Sequence, residues 1–138
     1  MKNRRFVSLT LWSLFMIGTT LFAQSAHELR VNIPFDFNVA NRTVEAGQYT
    51  LQQLASAMQI RQRDGRVVAL VTFTTNPKAE SIKEGQMLFH RYGETYFLSE
   101  VLMPYSNSAN KLIQSKHERE LAQGGSKAQE IAVTVRNR

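Results

Sequence analysis

Four side chains in one short stretch can do more than pack. They are His90, Arg91, Tyr92 and Tyr96, within Met87–Val101 (MLFHRYGETYFLSEV). An imidazole exchanges protons near neutral pH, a guanidinium grips carboxylate or phosphate, and a phenol joins an apolar ring to a polar tip. Gathered at the mouth of a cavity, the four would line a pocket with an apolar body and a few orienting donors. Spread over an open face, they would be contact residues for another protein. For the neighbouring Phe35, Phe37, Phe89 and Phe97, core packing is the simpler role. Gly93 takes a positive φ cheaply, so Tyr92-Gly93-Glu94 can reverse the chain and pair the two runs as a hairpin.

Other chemistries leave fainter traces. The histidines are His27, His90 and His117, far apart, and there is no cysteine. Neither HExxH nor a calcium loop occurs, so no metal or cofactor is implied. His117 and Glu120 can share a helix face, which reads as solvated. No serine sits in a G-x-S-x-G elbow, and no P-loop or G-x-G-x-x-G is present. A triad can still assemble in space around His90, with Asp36 or Glu100 as its acid, because triads are defined by geometry and not by order. Nothing in the spacing selects one. Glu94 and Glu100 read as surface charges as readily as paired glycosidase acids. No catalytic residue is therefore assigned, and a hydrolase is the weakest of the functions considered.

These residues must be positioned by a small body. The chain has 138 residues, room for one domain. Its start reads as a removable segment: Lys2, Arg4 and Arg5, an apolar run Phe6–Phe22, then Ala23 and Ala26. That is the pattern of a secretory signal peptide over 1–23, with cleavage between Ala23 and Ala26 and a single β domain over 27–138. The run, diluted by serine, threonine and glycine, is weak for a spanning helix, which wants roughly 20 apolar residues. A retained anchor is the alternative, and the membrane is expected to matter only through that uncleaved segment.

Export changes the charge argument. The full chain carries +6; without Lys2, Arg4 and Arg5 it keeps 14 basic against 11 acidic residues, a net of +3. That is too weak and mixed to point to nucleic acid. Arg61, Arg63 and Arg66 form the one local basic cluster and read as a solvated strand face. With no cysteine, cohesion must come from core burial alone.

Alternation of apolar and polar residues then sets the elements. Leu29–Val39 alternates throughout, with Pro34 on the polar face, so this strand should lie at an edge or break there. Gln48–Leu54 and Ala57–Arg63 read as further strands. Asp64-Gly65 suits a type I′ turn into Arg66–Thr74, a strand expected to be covered on both sides. Asn76-Pro77 should end it, leaving Lys78–Gly85 as a surface loop. After the Met87–Val101 hairpin, Tyr105–Asn110 is a polar run. Ser115 and Glu118 match a capping box opening a helix over about Lys116–Gln123, stopped by Gly124-Gly125. Leu112 and Ile113 suit helix or strand, and Ile131–Val135 is a terminal strand. The expectation is an all-β fold of about seven strands with one short C-terminal helix, as a small antiparallel barrel or a two-sheet sandwich.

Several pieces occur together in order: Asn32-Ile33-Pro34-Phe35-Asp36-Phe37, Ala46-Gly47-Gln48-Tyr49, Phe89-His90-Arg91-Tyr92-Gly93, Tyr96-Phe97-Leu98-Ser99-Glu100-Val101, and Glu118-Arg119-Glu120-Leu121. In these the chain resembles a group of short secreted proteins from soil bacteria of the acidobacterial type. The resemblance implies a signal peptide and a small β domain. It carries over no functional residue, because the group has none assigned. The chain is expected to be exported, to the periplasm or outside the cell, and to work by interaction with an envelope component or a protein partner. The alternative is a small barrel binding an apolar or amphipathic ligand near His90, Arg91, Tyr92 and Tyr96.

Overall fold

A computed structural model describes residues 28–137; the expected signal segment, its cleavage site and His27 lie outside them. Strand β1 (Glu28–Ile33) obeys the alternation, burying Leu29, Val31 and Ile33 and exposing Arg30 and Asn32. It breaks at Pro34, which has no N–H for a ladder. The chain re-enters as β2 (Phe37–Val39) and turns through Ala40 and Asn41, both at positive φ, into β3 (Arg42–Val44). β4 (Gly47–Gln53) and β5 (Ala57–Gln62) follow. The turn at Asp64-Gly65 is present, but not as type I′. Only Gly65 has positive φ, Asp64 Oδ1 accepts from the Arg66 N–H, and Gln62 and Arg66 close a three-residue loop.

Strand β6 (Val67–Ile82) is the hinge of the architecture. Its first part pairs with β5 and its second with β9 (Ser106–Leu112), so it belongs to both halves of the sheet. β7 (Gln86–Tyr92) and β8 (Thr95–Leu102) form the expected hairpin, and α1 (Lys116–Gln123) follows β9. β10 (Gln129–Thr134) lies on β7, and β11 (Arg136–Asn137) on β1. The order is β10-β7-β8-β9-β6-β5-β4-β1-β11, with β2 off this path pairing β8 and β3 pairing β2. The described residues are thus mostly strand with one short helix, and the sheet is not closed into a barrel.

The two halves face each other across one core. Ile33, Leu51, Met58 and Ile60 from the first meet Phe37, Met87, Phe89 and Val101 from the second, all fully buried. Burying each such side chain contributes about 1.5–3 kcal/mol. Phe37 stands edge-on to Tyr49 and to Phe89, locking the halves together. A smaller cluster of Ile82, Leu88, Leu102 and Ala109 lies apart from this core.

Three expectations need correction. The strand does not stop at Asn76-Pro77: Pro77 still lies opposite Ser108, and after an irregularity Ile82 pairs with Ser106 and anchors in the smaller cluster. Most of the loop expected over Lys78–Gly85 is therefore strand. The polar run after Tyr105 is strand β9, held between β6 and β8 with Ala109 and Asn110 buried. β6 is central but not covered on both sides, since Leu70 is 57% exposed.

Candidate functional site

Strand alternation divides the four singled-out residues. His90 and Tyr92 share one face of the β7–β8 hairpin, while Arg91 lies with Tyr96 on the other. Tyr96 stacks on Phe35 at 3.9 Å between centroids and packs against the core. Arg91 lies 5.4 Å from the Tyr96 ring, donates to Gly93 O at 2.7 Å, and meets exposed Glu94 at 3.2 Å. Such an exposed pair adds at most about 1 kcal/mol. The four do not converge on a cavity mouth.

His90 instead meets two residues from other places. A register shift lies between Leu88 and Phe89: Leu88 pairs with Glu100, but Phe89 pairs with Leu98. The extra residue is Ser99, which stands two residues from Phe97, the partner of His90, and so shares the His90 face of the hairpin. Ser99 Oγ lies 3.1 Å from His90 Nε2, and Glu118 Oε1 lies 2.7 Å from His90 Nδ1. A carboxylate can only accept, so in neutral His90 the proton is on Nδ1 and Nε2 accepts from the Ser99 hydroxyl. This is the connectivity of a serine–histidine–acid triad. Its acid is neither Asp36, which accepts from the Ala46 N–H, nor Glu100, which pairs with Lys78.

The helix sets Glu118 in place. Ser115 caps it as the sequence predicts, its hydroxyl accepting from the Glu118 N–H at 3.1 Å. The expected reciprocal bond is replaced: the Glu118 side chain turns to His90. α1 thereby covers the outer face of the hairpin, with His117 beside the Phe97 ring. Ser99 is 7% exposed and Glu118 2%, while the His90 side chain keeps 23%. Burial, and then the nearby Glu118 charge, pushes the Tyr92 phenol above its ordinary value. A cavity of about 410 Å³ beside α1 is lined by Leu70, Phe97, Lys116 and Glu118, but by neither His90 nor Ser99. The cluster is bonded and covered.

The outer face of the first half is different. Arg136 lies directly opposite Arg30, Arg30 opposite Thr50, and Thr50 opposite Arg61, one row across four strands. Arg30, Arg63 and Arg136 line an open groove of about 1230 Å³, together with Asn32, Gln48 and Thr134. Among the described residues none of these three arginines is in an ion pair. Glu28 stands on the same face, two residues from Arg30, with an interaction of its own. Arg61 is turned onto Gln59, and Arg66 onto Gln62. The local arginine cluster of the sequence is thus dispersed, and Arg63 joins two arginines from opposite ends of the chain. No sequence spacing signals that meeting, because strand order creates it.

Among the described residues no group of three or more His, Cys, Asp or Glu is placed to hold a metal ion, and no helix is long and apolar enough to cross a membrane. No known family, curated protein or solved structure matches the chain.

Proposed function

We propose that this is an exported β protein acting by non-covalent interaction, and that it holds an anionic envelope component or partner in the arginine-lined groove. The observation that carries this reading is the Arg30–Arg136 cross-strand pair, with Arg63 in the same open groove. Like charges directly opposite one another oppose folding, and an anion between them turns that cost into binding. The ligand-holding barrel has no such support, since the sheet is open and aromatic side chains fill its interior. Calorimetric titration with a panel of polyanions tests the reading. Binding that weakens with salt and is lost on replacing Arg30, Arg63 and Arg136 by glutamine supports it; no binding to any polyanion overturns it. Export is tested separately by sequencing the N-terminus of protein recovered from a bacterial host: an intact Met1 on cytosolic protein refutes it.

A second reading, an acyl-transfer hydrolase, is favoured by the Ser99–His90–Glu118 connectivity. A small fluorophosphonate tests it. Ser99 Oγ would bond to phosphorus and displace fluoride, passing its proton to His90 Nε2. A mass increase lost in Ser99→Ala supports catalysis; an unmodified Ser99 on the folded protein refutes it.

A further inference from the structure

We infer that the occupant of the groove is an acidic oligosaccharide, its uronate carboxylates on the arginines and its ring hydroxyls on the neutral polar side chains. The inference rests on the binding reading above and adds the ligand's class. Arg30, Arg63 and Arg136 supply the charge, and each guanidinium can meet a carboxylate with two parallel N–H groups. Neighbouring strands lie about 4.8 Å apart, so opposed Arg30 and Arg136 can share one carboxylate. The same groove is lined by Asn32, Gln48 and Thr134, which both donate to and accept from hydroxyl groups. An anion without hydroxyls leaves that capacity unused.

Other anionic macromolecules fit the groove less well. Its large apolar lining residues, Val31 and Tyr49, are buried, so no large apolar side chain stands exposed there to enter a lipid bilayer. Nucleic acid in single strands wants exposed aromatic faces for its bases. Tyr49 offers none, and its hydroxyl already donates to Glu45 O. An acidic peptide bound as an added strand needs a free backbone edge. The groove offers only a short one: β4 is paired on both sides by β1 and β5, and β1 meets β11 at Leu29 and Arg30, so the open edge is Val31–Ile33 of β1 and the two residues of terminal β11. So short an edge leaves recognition chiefly to side chains.

The test is calorimetry of the protein with four probes at low salt: an oligogalacturonate, its methyl ester, polyphosphate of similar length, and phosphatidylglycerol vesicles. The oligogalacturonate should bind, and its uncharged ester should not. Arg30→Gln and Arg136→Gln should each weaken binding about tenfold, the loss of roughly one charged contact. Asn32→Ala with Gln48→Ala should weaken it about threefold while leaving the salt dependence unchanged, because hydroxyl contacts release no counterions. Far-ultraviolet circular dichroism confirms that each variant is folded. Polyphosphate or vesicles binding as tightly as the oligogalacturonate would overturn the saccharide assignment and leave the anion-binding reading standing. Binding of none of the probes would overturn both.

Discussion

The sheet has two outer faces, and the chain treats them in opposite ways. On the second half, α1 lies across the β7–β8 hairpin, and His90, Ser99 and Glu118 satisfy one another beneath it. On the first half none of the described residues lies across β1, β4 and β5, and Arg30 stands opposite Arg136. Burial accounts for the contrast. A carboxylate as covered as that of Glu118 must have hydrogen-bond partners or destabilise the fold. Exposed guanidinium groups are solvated, so they can stay unpaired until a ligand arrives. Polar residues locked to one another hold the fold, and those left open are available for recognition.

The largest expected effect is at the seam between the faces. The C-terminal strand leaves β7 after Thr134 and joins β1 at Arg136, and between them the Val135 N–H donates to Gly85 O at 2.9 Å. A Cβ on Gly85 would collide with Val135 Cγ2 and lie 2.9 Å from Pro104 Cδ. Gly85→Ala should therefore cost about 3 kcal/mol in urea unfolding. It should also weaken the groove, because Arg136 follows directly. A loss below about 1 kcal/mol would mean that the crossing adapts and the faces are not rigidly linked.

Glu118→Ala comes next and strikes only the covered face. It removes the acceptor of the His90 Nδ1 bond and loosens α1, at about 1–3 kcal/mol. Amide exchange should rise across Lys116–Gln123 and stay unchanged in β1 and β4. Exchange rising equally everywhere would show that the two faces are not independent.

Alkaline pH gives a smaller, graded effect. Tyr49 and Tyr92 both have phenols raised above their usual value, in each case chiefly by burial. A raised folded value favours the protonated form, so this stability is fully present below about pH 10 and lost as pH climbs through the raised values. Tyr92→Phe should flatten part of that fall by removing the phenol near Glu118. A fall of the same steepness in Tyr92→Phe would place the titration elsewhere.

What the sequence made legible follows from how local each feature is. The alternation in Leu29–Ile33 and the Ser115 cap are written in neighbouring residues, and both appear in the structure. The breadth of the sheet was not legible. β9 reads SNSANKL and carries only Ala109 and Leu112 as apolar residues, and its neighbours β6 and β8 impose its conformation. Within the site, His90 stood out by type. Ser99 did not, because its meeting with His90 depends on how β7 and β8 are paired, which is a matter of register. Arg30 and Arg136 meet only because the C-terminal strand returns to β1.

The smallest effect probes the open face alone. Arg30→Thr removes one member of the like-charge pair and places a β-branched residue opposite Thr50. It should raise stability by about 0.2–1 kcal/mol at low salt. Raising the ionic strength shortens the screening length to a few ångströms, and most of that gain should vanish. Stability and binding should then move in opposite directions, with a firmer protein that holds anions less well. A destabilised Arg30→Thr would mean that the arginine packs its stem against the sheet as a structural residue, and the two faces would differ less than their coverage suggests.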